Sequence, residues 1–131
     1  MTTTTKKMKH LDELHFEHQL WISEAKFFVD ELKIYQARLD EVASKNTAQD
    51  VMKKVEHFQN QFHIQKTELS TITHLINEHE NWLTNYAKNH PVAIDHASFA
   101  DHTVLEDKVG TFKKLYTELK HEFLRFLSER M

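Results

Sequence analysis

From residue 51 to residue 86 the chain reads VMKKVEHFQNQFHIQKTELSTITHLINEHENWLTNY. Alternating steps of four and three from Val51 pass through Val55, Phe58, Phe62, Gln65, Leu69, Ile72, Ile76, His79, Leu83 and Tyr86, and nine of these eleven positions are apolar. No Gly or Pro interrupts the stretch. A seven-residue apolar repeat held this long belongs to a helix lying nearly alongside its neighbours. The same repeat occurs upstream, through Leu11, Leu14, His18, Trp21, Ala25, Phe28, Leu32, Tyr35, Leu39 and Val42. It occurs again downstream, through His102, Leu105, Val109, Phe112, Tyr116, Leu119, Phe123 and Phe126.

Two breaks separate the three stripes. Around Asn46 and Thr47 the chain turns polar; either residue can cap the next helix, and Thr47 with Asp50 has capping-box spacing. At the second break Pro91 stops a helix and biases His90 towards extended backbone. A new helix is expected from Asp95 or Ser98. The reading is therefore all-α, with helices at about 8–44, 48–88 and 98–129. Short connections make sequential helices antiparallel, so an elongated antiparallel three-helix bundle with coiled-coil-like heptad packing is predicted. Residues 8–131 form one domain, and residues 1–7 are expected to be a flexible polar tail.

Composition narrows the function classes. The 131 residues contain one Gly, one Pro and no Cys. Turn-rich sandwiches, barrels and doubly wound sheets are excluded, as are disulfides, thiolate metal sites and cysteine nucleophiles. A formal charge of −3 gives no general attraction to nucleic acid or anionic lipid. No stretch approaches the roughly 18 apolar residues of a membrane span, and the polar start lacks the apolar core of a secretory signal, so a cytoplasmic location is expected. Eleven His are the anomaly. Protonating all of them moves the formal charge from −3 to −3 + 11 = +8, which makes solubility and self-association sensitive to pH near 6.

The first helix has more apolar surface than its seam requires. Ile22, Val29 and Ala43 widen the stripe, and Leu20, Phe27 and Ile34 add a row seven residues apart on the far side of Glu17, Glu24 and Glu31. The arc is roughly 200° wide, against about 100° for a surface helix. Either the third helix leans onto the Leu20/Phe27/Ile34 row, or the row is an interface, for which a symmetric homodimer is the commonest solution.

Polar residues inside the seam are the candidates for chemistry. The hairpin formed by the first two helices brings His15 opposite His79, with His18 one turn away. Two readings stand side by side. Buried imidazoles can set helix register, as a polar seam residue does in coiled coils. Alternatively, His15, His18 and His79 are metal ligands, since imidazole suits zinc, copper, nickel and iron. Against the second, Glu17 and Glu78 point off the seam, and Val109 or Phe112 is expected from the third helix at this level.

The segment Val55-Glu56-His57-Phe58-Gln59-Asn60-Gln61-Phe62 resembles uncharacterised small all-helical bacterial proteins, a resemblance that implies no function. The fragments His57-Phe58 with Gln61, His74 with Glu78 and His96 with Asp101 resemble parts of the hemerythrin pattern, but Gln61 stands where a carboxylate belongs. Ferritin-like sites need Glu-x-x-His on two helices, and this chain has one such motif, at Glu118 and His121. No ligands transfer from either family. There is no phosphate loop, no His-Glu-x-x-His and no serine elbow. The expectation is a non-enzymatic bundle without a cofactor, acting by self-association or by binding another helical protein, with no nucleic acid or membrane partner. A His-based metal-binding protein is the alternative.

Overall fold

A computed structural model describes residues 11–89 and 96–130; of Leu11 and residues 96–100 it describes the backbone alone. The described residues form three helices, α1 (Leu11–Lys45), α2 (Gln49–Asn89) and α3 (His96–Arg130). With 35, 41 and 35 residues, they are roughly 52, 61 and 52 Å long at 1.5 Å per residue. No strand occurs among the described residues. The molecule is an all-α three-helix bundle, as the heptads predict. The expected tail at 1–7 and the stop at Pro91 lie outside the described residues. No helix among the described residues is long and apolar enough to cross a membrane.

Helix ends differ from expectation by a residue or two. The third helix begins at His96 rather than at residue 98, so the second connection is shorter than the sequence suggests. At the first connection Asn46 caps backwards: its amide Nδ2 donates to the Val42 carbonyl at 2.9 Å. The α2 ladder starts with Met52 N donating to the Ala48 carbonyl at 3.0 Å. Asn46 thus satisfies an orphan carbonyl at the end of α1 instead of an orphan N–H at the start of α2.

The seam positions are the core. Leu14, Leu39, Ile76 and Phe123 are fully enclosed. At the end that holds the first connection, Tyr35, Phe58, Phe62, Phe123 and Phe126 pack as an aromatic cluster, with Phe62 edge-on to Phe123 at 4.9 Å between ring centres. Edge-to-face packing of this kind adds to area burial because ring edges are positive and faces negative. Helix α2 packs closely on both neighbours, whereas α1 and α3 approach each other least.

Long side chains span the wider α1/α3 gap. Glu24 pairs with Lys113 at 2.5 Å, and Glu31 with Lys120 at 3.2 Å. Both partners advance by seven residues, as parallel helices in a heptad register require. The buried Tyr116 hydroxyl donates to Glu31 at 2.6 Å. Burial first, and then the Glu31 carboxylate, push the Tyr116 phenol far above its ordinary range. The bond to Glu31 raises the Lys120 ammonium as well.

On α1, Ile22, Val29 and Ala43 are partly buried against the core. The second row is not covered. Leu20, Phe27 and Ile34 are 47, 57 and 60% exposed, so α3 does not lean onto them.

Candidate metal centre

The polar layer lies at the opposite end of the bundle from the aromatic cluster. Each helix contributes one imidazole from a seam position: His18 from α1, His79 from α2 and His102 from α3. Their exposures are 1, 8 and 1%. One nitrogen from each ring lies within 4.8 Å of the other two. His79 Nδ1 is 3.1 Å from His18 Nε2, and His102 Nδ1 is 3.3 Å from the same atom.

Carboxylates hold two of the rings from behind. His18 Nδ1 donates to Glu80 Oε1 at 2.7 Å, and His102 Nε2 donates to Glu17 Oε1 at 2.9 Å. An ionised carboxylate only accepts, so these bonds place the ring protons on His18 Nδ1 and His102 Nε2. The opposite nitrogens, His18 Nε2 and His102 Nδ1, then carry lone pairs that face each other. His79 can donate to His18 Nε2, but one in-plane lone pair does not serve two neighbours well. A cation between the rings would give the converging nitrogens one common partner. A ligand imidazole backed by a carboxylate is the usual outer arrangement of protein metal sites.

Spacing carries the same message. Zinc–nitrogen bonds of about 2.0–2.1 Å in a tetrahedron put ligand nitrogens about 3.3–3.4 Å apart. The two distances at His18 Nε2 lie at or just under that edge. Trp21 stacks on His102 with ring centres 5.0 Å apart, and Trp82 lies parallel to His79 at 6.3 Å. The indoles wall the imidazoles and restrict their rotation.

The structure brings together His18 and His79 as the sequence suggests, and sets His15 apart. His15 is half exposed and bonds through Nδ1 to Glu80 Oε2, on the outer side of that carboxylate. Two expectations are corrected. Glu17 does not point away from the site; it reaches His102. Glu78 does lie off the seam, on the surface beside His74 at 3.2 Å, and the α2 carboxylate that meets His18 is Glu80. At this level α3 supplies His102 rather than Val109 or Phe112, one heptad before Val109. The signal for His102 was its place as the first seam residue of the third stripe. Gln65, the other polar seam residue, is buried away from this layer, and its Oε1 has no hydrogen-bond partner.

No family model matches the chain, and neither a curated protein nor a solved structure is significantly similar to it.

Proposed function

We propose that this protein binds one divalent transition-metal ion, zinc foremost, through His18, His79 and His102. The observation that carries the proposal is the convergence of three buried ring nitrogens, one from each helix, with two rings oriented by Glu80 and Glu17. Three neutral imidazoles without a thiolate suit zinc, and also copper or nickel. The two nitrogen–nitrogen distances at His18 Nε2 are close to a tetrahedral zinc edge, which favours zinc. The ion ties α1, α2 and α3 together at the end opposite the aromatic cluster. Its role in this reading is to be held, and to hold the bundle, rather than to turn over a substrate.

Intrinsic fluorescence provides the test, since Trp21 and Trp82 lie against two of the ligand rings. Zinc titration of tag-free protein is expected to change the emission with saturation at one ion per chain. At free zinc a hundredfold above Kd, stability rises by about 2.7 kcal/mol. Both effects disappear in a His18→Ala/His79→Ala double variant. A wild-type protein whose emission and thermal midpoint ignore zinc, copper and nickel contradicts the proposal.

A second reading rests on the exposure of Leu20, Phe27 and Ile34. Three large apolar side chains in one heptad-spaced row favour self-association through α1, with a second copy of the chain as the partner. The Phe27→Glu variant is expected to have half the solution mass of the wild type while keeping its helical content. Equal masses for the two proteins remove this reading.

A further inference from the structure

Between α1 and α2 runs an open groove of about 550 Å³, within the range of about 300–1,000 Å³ typical of small-molecule sites. Its floor is apolar: Leu32 and Phe62 are buried core residues, and Val29 and Ala37 extend the surface along α1. From Val29 to Asp40 the α1 side of the lining is about 16 Å long at 1.5 Å per residue. Three basic side chains stand over this floor, Lys33 from α1 and His63 and Lys66 from α2. The Tyr35–Phe62 and His18–His79 contacts give the same α1/α2 register, which sets Lys33 level with residue 64, between His63 and Lys66. Two ammonium groups therefore face each other across the groove, with an imidazole beside them. Among the described residues no carboxylate pairs with any of the three. Asp40, the one carboxylate of the lining, sits seven residues beyond Lys33 and accepts from Gln36 Nε2 at 2.9 Å. By contrast, Lys113 and Lys120 also reach between helices, and each meets a glutamate. A cleft lined by one sign of charge over a low-dielectric floor focuses its field on the opposite charge, even in a chain of net charge −3.

From this arrangement we infer that the α1/α2 groove binds a single-chain amphiphile with an anionic head, a fatty-acid carboxylate. The head accepts hydrogen bonds from Lys33 Nζ, Lys66 Nζ and the His63 ring N–H. Bonds of this charge-assisted kind are about twice as strong as neutral ones. Asp40 repels a carboxylate, which assigns the head to the Lys33 end. The alkyl chain lies over Leu32, Phe62 and Ala37. A bare inorganic anion leaves that floor in water, and an uncharged apolar molecule leaves the two ammonium groups facing each other. A molecule with both features uses the whole groove. The inference is independent of the metal-binding reading and of the Leu20/Phe27/Ile34 row, since neither shares a lining residue with the groove.

The experiment is isothermal titration calorimetry of the full chain with sodium dodecanoate, kept below its micelle concentration, and with octanoate and dodecyltrimethylammonium for comparison. Dodecanoate is expected to bind at one molecule per chain. Octanoate binds about fifteenfold more weakly, the loss for four methylenes half removed from water. Dodecyltrimethylammonium, with the same tail and the opposite charge, does not bind. A Lys33→Gln/Lys66→Gln variant weakens dodecanoate about tenfold, as two exposed ion pairs allow. Lys108→Gln/Lys114→Gln makes the same change of net charge on exposed positions of α3 and binds like the wild type. Ala37→Glu, at an exposed position four residues after Lys33, sets a carboxylate in the groove and removes binding while helical content stays at the wild-type value. A wild type that does not bind dodecanoate overturns the inference. Equal binding of dodecyltrimethylammonium also overturns it, by showing an apolar patch blind to charge. Octanoate as tight as dodecanoate, equal behaviour of the two lysine variants, or binding retained in Ala37→Glu does the same.

Discussion

Tyr116 ties a buried phenol to the carboxylate of Glu31, which also holds Lys120. Tyr116→Phe removes a hydrogen bond to a charged group and is expected to destabilise the fold by about 2 kcal/mol in urea unfolding. The pH dependence has a definite sign. In the unfolded chain the phenol titrates near its ordinary 10.0, and in the folded protein it titrates higher. Folding therefore tightens the hold on the proton. This contribution is complete below about pH 10 and is lost as pH rises towards the folded value. Lys120, also raised, acts in the same direction. Stability measured from pH 8 to 11 should fall at the alkaline end, and Tyr116→Phe should flatten the fall. The sequence revealed this cluster only in part. Tyr116 was visible as a seam residue, but its partner on α1 depends on how α1 and α3 are aligned, and no local pattern encodes that. The imidazole layer has the same history. His18 and His79 stood out as polar interruptions of apolar stripes. His102 was equally visible, yet its level depends on how α3 is set along α2, which no local pattern encodes. Glu80 and Glu17 were hidden because side chains of their length reach round a helix to a seam that their Cα positions do not face.

At the scale of the helix, the heptads located all three elements to within about three residues, as a repeat this long allows. The ends were less legible, because capping is decided by single side chains that can serve either neighbour, as Asn46 does for α1. Gly110 is helical, exposed and not at a positive φ, and a Cβ added there meets nothing within 4 Å. A lone glycine in a helical pattern can mark a bend or break, but α3 runs through Gly110 unbroken. Gly110→Ala should therefore stabilise α3 by about 1 kcal/mol, raising the thermal midpoint by about 4 °C. Calorimetry of the two proteins checks this, and a lower midpoint would mean that the backbone at Gly110 has a use that the monomer does not reveal. The Leu20/Phe27/Ile34 row was foreseen as an excess of apolar arc. What the sequence could not decide was whether α3 covered it, since that depends on the angle at which α3 leaves the second connection.

Across the whole molecule, the two ends of the bundle are built on different chemistry. Around the first connection, aromatic rings from all three helices fill the core. Around the other end, three imidazoles occupy the same seam positions, backed by carboxylates. Nonpolar packing tolerates small changes of register, whereas converging lone pairs do not. The second end therefore fixes how the three rods align, with or without an ion. An ion bound there would add its binding free energy to folding, because the unfolded chain has no preformed site. The most direct test of the central claim is the zinc content per chain after equilibrium dialysis of the wild-type protein and His102→Ala, prepared without an affinity tag. One zinc per wild-type chain, and none in His102→Ala at the same free concentration, is the predicted result. A wild type that retains no zinc, or a variant that retains as much as the wild type, would contradict it.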